Sequence, residues 1–91
     1  MTTPLAVRRR RARYRATHRG TKELDLMIGH FAEAHIDTMF EPALARFEQL
    51  LAMPDPDLDH WLRGGAEPDG EEMRGLIEEI RCFLGLTPAG T

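Results

Sequence analysis

The sequence predicts an all-α fold, a small five-helix bundle, and three observations carry that prediction. Apolar residues recur at spacings of three and four in successive segments, the period of one helix face. No run alternates apolar and polar residues of the β-branched kind that favours strands. Glycine and proline punctuate the chain at short intervals, which leaves room for short loops only. At 91 residues there is chain for one domain with a thin core.

The first helix is expected over residues 7–19. On it Arg8, Arg11, Arg15 and Arg19 line one face, while Val7, Tyr14 and His18 share a thin apolar flank, so it belongs on the surface. Gly20 stops it, because glycine enters the left-handed region without steric cost. The second helix runs from about Lys22 to Thr38 and buries Leu24, Met27, Ile28, Phe31 and His35. Glu23 and Asp25 fall in its first turn, where carboxylates complement the helix dipole.

Pro42 suits the first turn of a third helix, whose inner face is Leu44, Phe47, Leu50 and Leu51. After the break MPDPD, Asp55 is the expected cap and Pro56 the first position of a short fourth helix. That helix carries Leu58, Trp61 and Leu62 and closes at Gly64-Gly65. The fifth opens at Asp69, with Glu72 at capping-box spacing, and bears the clearest stripe: Met73, Leu76, Ile77, Ile80, Phe83 and Leu84. Gly75 within it costs about 1 kcal/mol relative to alanine, which points to close packing there. Gly85 and Pro88 end it. The expected core is Leu24, Ile28, Phe31, Phe47, Leu51, Trp61, Ile77 and Ile80.

A net charge of −3 conceals a segregation. Residues 1–22 hold seven arginines and Lys22 with no acid, +8, whereas residues 23–91 hold four arginines against all fifteen acids, −11. Such polarity orients partners more than it shapes folds. Nucleic acid, an anionic membrane surface and an acidic protein patch all suit the basic end, as does a merely solvated face. Nucleic-acid binding calls for a reading helix or stacking aromatics, and only Tyr14 is interleaved. The flank of Val7 and Tyr14 is small for a membrane. Neither nucleic acid nor membrane insertion is therefore expected, and a basic-helix module for nucleic acid or an anionic membrane stands as the alternative function.

The longest apolar runs, such as LLAM, are far too short to span a bilayer. The arginines are not followed by the apolar stretch of a secretory signal, and the segment is poor in the serine of a mitochondrial leader. A soluble cytoplasmic protein is expected. The single cysteine, Cys82, allows no internal disulfide and lies beside the fifth stripe as a small buried hydrophobe. His30 and His35 are separated by about 140° around a helix, so no metal site is expected. Neither a nucleophile with its base nor a phosphate-cradling loop is present, so the chain is not expected to be an enzyme.

The stretch HRGTKELDL, residues 18–26, is where the charge changes sign. As a turn it is fully accounted for: Gly20 stops one helix, Glu23 favours the next, and Arg19 is a last-turn cation. It also leaves Arg19 and Glu23 as an exposed pair of opposite charges flanking bare backbone, where another protein can approach.

Arg19-Gly20-Thr21-Lys22-Glu23 carries the R-G-x-x-E signature of the FAD assembly factors of succinate dehydrogenase, the SdhE type, and the chain resembles that family. YRATHRGTKELDLMIGHFA is similar to the first two helices of the bacterial members. LARFEQLLAMPDPDLDHWLRGG resembles their second block, in which a leucine pair leads to D-x-D-L and then a tryptophan. The resemblance spans about residues 11–86, the expected helical domain. Residues 1–10 match no feature of the family and are expected to form a basic, flexible arm, with residues 87–91 as a C-terminal tail. Thr17 stands where many members carry an aromatic residue.

The resemblance implies a five-helix, non-catalytic maturation factor. It would bind the flavoprotein subunit of succinate dehydrogenase, and that of the related fumarate reductase, and promote covalent FAD attachment to a histidine there. No cofactor is then held stably by the factor itself; the FAD is the partner's. The partner-binding residues implied are Arg19, Gly20 and Glu23 facing the flavin region; on charge, the neighbouring Arg11, Arg15, His18 and Lys22 are expected to join them in steering or clamping an acidic surface.

Overall fold

The computed structural model describes residues 3–86, which contain five α-helices and no strand. They are α1 (Leu5–Thr17), α2 (Lys22–His35), α3 (Ala43–Leu51), α4 (Asp55–Leu62) and α5 (Glu71–Phe83), with a 3-10 turn, Ile36–Thr38, continuing α2. Pro88 and the tail lie outside the described residues.

One core joins all five helices, and Leu24, Ile28, Phe31, Phe47, Leu51, Ile77 and Ile80 are buried in it as expected. Phe31 is its hub, tilted against Phe47 at 5.8 Å and edge-on to Phe83 at 5.7 Å between ring centroids. Trp61 departs from expectation. It is only half-buried, packing on the core from the rim and lining a surface cavity of about 400 Å³ with Gly64, Pro68, Ile77 and Arg81.

The first helix is better anchored than its apolar flank suggested. It begins at Leu5 and buries Ala12 and Ala16, small side chains that let it lie close to its neighbours. The helix therefore starts two residues before the expected residue 7, and residues 5–10, also assigned to a flexible arm because they match no family feature, form its first turns. Arg8 reaches α3, where it pairs with Glu48 at 2.6 Å and also with Glu41 before it. Arg9 donates to the Met39 carbonyl at 3.0 Å and lies over the Phe40 ring, and Arg13 pairs with Asp37 at 3.0 Å and Glu33 at 3.3 Å. The helix thus packs through alanines and is tied down at its edges by arginines.

Three helix ends differ from their sequence-based assignment. Helix α1 stops at Thr17 without a left-handed glycine; the Thr17 hydroxyl donates back to the Arg13 carbonyl at 3.0 Å and His18 Nδ1 donates to the Tyr14 carbonyl at 2.8 Å. Asp55 is the first residue of α4 rather than its cap, because its carboxylate is engaged elsewhere. The expected box of Asp69 and Glu72 is not formed, and Gly70 precedes α5. Gly64 and Gly85 do take positive φ, 82° and 74°, and end α4 and α5.

Three residues of the last helix are more open than expected. Cys82 is exposed, and Phe83 is 44% exposed because it sits at the edge of the stripe. Gly75 is exposed too, and an added Cβ would meet nothing within 4 Å, so close packing does not explain it. Gly75→Ala should accordingly raise stability by about 0.5–1 kcal/mol, seen as a higher midpoint in urea unfolding with an unchanged slope.

Candidate functional site

The loop His18–Thr21 between α1 and α2 brings the two sequence blocks together in space. Arg19, at its centre, turns inward, its side chain only 11% exposed. One nitrogen donates to the Leu51 carbonyl at 2.7 Å, another to the Met53 carbonyl at 2.9 Å, and the guanidinium forks onto Asp55 Oδ1 at 2.6 and 2.9 Å. Carbonyls at and just past a helix C-terminus lack intrahelical donors and carry partial negative charge, which is where a cation is most useful. The exposed Arg19–Glu23 pair expected from spacing is thus replaced by a clamp from loop to α3–α4 junction.

Gly20 completes the clamp. Its backbone N–H donates to Asp55 Oδ2 at 2.7 Å, so both oxygens of one carboxylate hold adjacent residues of the loop. A Cβ on Gly20 would stand 2.5 Å from that Oδ2, and the carboxylate cannot retreat without releasing Arg19 and the Gly20 N–H. Since its φ is not positive, glycine is required here by space rather than by backbone conformation. The Arg19 N–H also bonds the Asp25 carboxylate, giving that acid a second task besides the dipole.

Thr21 caps α2, its hydroxyl accepting from the Leu24 N–H at 3.2 Å. Of the five residues in the R-G-x-x-E stretch, three therefore build the loop, and Lys22 and Glu23 are left exposed on the first turn. Thr17 packs against α2, where its methyl is 3.1 Å from the position a Cβ on Gly29 would take. That contact lies between α1 and α2, while the Thr17 hydroxyl bonds back to the Arg13 and Tyr14 carbonyls.

Sequence reasoning missed Asp55, Asp59 and Arg63 as members of this region. Arg63 pairs with Asp59 at 2.7 Å one turn earlier on α4, and both Asp59 and Glu23 favour its charged form, Asp59 more strongly. The available signal was the acid run DPDLD, whose opposite charge calls for a cation from another block. His18 stacks on Tyr14, and Arg11 and Arg15 are exposed on α1 away from the clamp. The histidines form no cluster with acids or the cysteine that would hold a metal, among the described residues. No helix of that span is long and apolar enough to cross a membrane.

Asp55 is held below the ordinary carboxylate range, chiefly by the Arg19 guanidinium and further by the Gly20 N–H. A carboxylate depressed on folding contributes stability above its unfolded value of about 3.9, which is lost as pH falls through the folded value. The clamp should hold at neutral pH and release only in strong acid. In acid titrations followed by circular dichroism, Asp55→Asn should start less stable and lose less stability below about pH 4.

Residues 10–84 match the family model described as the flavinator of succinate dehydrogenase. The chain is 46% identical over 85 residues to the FAD assembly factor SdhE of Acetobacter pasteurianus, covering 89% of this chain and 78% of that protein. It is 35% identical over 81 residues to the FAD assembly factor SdhE of Coxiella burnetii, with 89% and 95% covered. It is 37% identical over 82 residues to the mitochondrial succinate dehydrogenase assembly factor 2 of Dictyostelium discoideum, with 90% and 58% covered.

Proposed function

Since this chain belongs to the family of flavinators of succinate dehydrogenase, we propose that it binds the flavoprotein subunit of that enzyme and promotes its covalent FAD attachment without taking part in the bond-forming chemistry. The flavin and the histidine that receives it are the client's. The factor holds the client in a conformation where the two meet, and near-attack geometry by itself is worth several kcal/mol. The flavoprotein of the related fumarate reductase is proposed as a second client.

The observation that carries this reading is the Arg19–Asp55–Gly20 clamp. It fixes a loop whose outer side offers bare backbone at Gly20 followed by the free charges of Lys22 and Glu23. A rigid, side-chain-poor edge can be approached closely by another main chain or a flavin rim, and a free carboxylate beside it supplies a charge-assisted hydrogen bond. Glu23 is the partner contact in this scheme, Gly20 gives the clearance, and Arg19 positions both from within.

The test is covalent flavin on the client subunit, read as fluorescence in a denaturing gel. Cells with the gene should show the band and cells without it should lack most of it. An undiminished band without the gene, for both clients, would sink the proposal.

A further inference from the structure

We propose that the outward face of α1 is a separate docking surface for an acidic protein segment and, resting on the reading above, that this segment belongs to the client flavoprotein subunit. The seven arginines between residues 8 and 19 divide in the folded chain. Arg8, Arg9, Arg13 and Arg19 are engaged by acids, carbonyls and one aromatic ring of the same molecule. Arg10, Arg11 and Arg15 are exposed and, among the described residues, make no ion pair or hydrogen bond through their side chains.

Between them lies a built aromatic platform. Tyr14 is 63% exposed, and its ring stacks on His18 with centroids 3.9 Å apart and planes 14° off parallel. The bond from His18 Nδ1 to the Tyr14 carbonyl holds the imidazole in place. Arg10, Tyr14 and His18 follow one another at spacings of four, as do Arg11 and Arg15 in the adjacent row, so the five side chains form one patch about two turns long.

Folding does not account for this patch. Like charges four apart on a helix repel, the first turn has no acid to offset them, and a ring so exposed gains little from burial. Tyrosine and arginine together, with the tyrosine already fixed, are what the energetic centres of protein interfaces are made of.

Charge complementarity selects an anionic occupant, and the surroundings select its kind. Glu33 on α2 and Asp37 on the 3-10 turn after it, both paired with Arg13, stand 58% and 81% exposed along the neighbouring edge. A polymer of uniform negative charge, such as nucleic acid or a lipid surface, would meet those acids as well. A short peptide segment with two or three carboxylates can engage three guanidinium forks bidentately and lay an apolar group on the Tyr14 platform without touching them.

The experiment measures binding of the full chain to the apo flavoprotein subunit at low and moderate salt, and to a labelled oligoglutamate peptide. Reversing Arg10, Arg11 and Arg15 to glutamate should weaken both by about tenfold or more and flatten the salt dependence, with the melting temperature little changed. Tyr14→Ala should weaken subunit binding while keeping the salt slope, and Glu23→Ala should keep that slope too. The milder Arg11→Gln and Arg15→Gln variants give the same answer if the triple reversal fails to fold.

Subunit binding unaffected by the arginine changes overturns the proposal; if Glu23→Ala still weakens that binding, the client reading stands. Wild-type chain that ignores the subunit yet binds oligoglutamate through these arginines overturns the client assignment and keeps the acidic docking face. Arginine-dependent binding to phosphatidylserine vesicles or single-stranded DNA that outcompetes the peptide overturns the acidic-protein assignment.

Discussion

Arg19→Ala is expected to lower stability by about 2–3 kcal/mol, the largest effect of any surface-loop change in this chain. The substitution leaves the Leu51 and Met53 carbonyls without their donor and Asp55 without its cation, in a site where Arg19 is 11% and Asp55 29% exposed. Hydrogen bonds to charged groups are worth about 1.5–3 kcal/mol each when one partner is removed, less what water recovers at the open side of the carboxylate. For a domain of this size that is a melting temperature lower by about 10–20 °C, measurable by circular dichroism at 222 nm. Arg19→Lys should recover under half of the loss, since one ammonium cannot fork onto Asp55 and also reach two carbonyls. In a double-mutant cycle, Arg19→Ala and Asp55→Asn should be strongly non-additive. Additive effects would show that the clamp is not a unit.

Glu23→Ala is expected to do the opposite: leave the fold within about 0.5 kcal/mol of wild type and abolish most covalent flavin on the client. Glu23 is exposed, and its structural credit is limited to its place in the first turn of α2 and its attraction to the exposed Arg63, both modest effects. The two variants therefore separate what R-G-x-x-E does for the factor from what it does for the client. Flavin yield should be compared at matched factor levels, because Arg19→Ala lowers yield simply by depleting folded protein. Gly20→Ala belongs with Arg19, since its Cβ collides with Asp55 before it reaches any partner. If Glu23→Ala supported full flavin attachment, the contact surface would lie elsewhere, and the α1 face is the next place to look.

Much of this was legible without coordinates. Helical period gave five elements and most of the core, because an apolar stripe has one way to be buried whatever its neighbours are. The two blocks, R-G-x-x-E and the run through D-x-D-L, identified the family whose model covers residues 10–84. Local chemistry was less reliable wherever a side chain had a choice of partner. Asp55 looked like a cap and became the anchor of a distant loop; Gly75 sat in a stripe and proved open; Trp61 was apolar enough for the core and packs on its rim.

The sequence by itself determined the helices, their buried faces and the polarity of the chain, since these depend on spacing and composition alone. Only the tertiary structure decided which charges are free. Seven arginines look alike in a sequence, yet a guanidinium either meets a carbonyl or carboxylate from about twenty to forty residues away or it does not. Arg19 was read as a surface contact and is an internal clamp, while Arg10, drawn into a basic arm, remains exposed. Spacing along a helix fixes where a side chain begins, whereas its partner is set by the long-range meeting of α1 with α3 and of the loop after α1 with the start of α4.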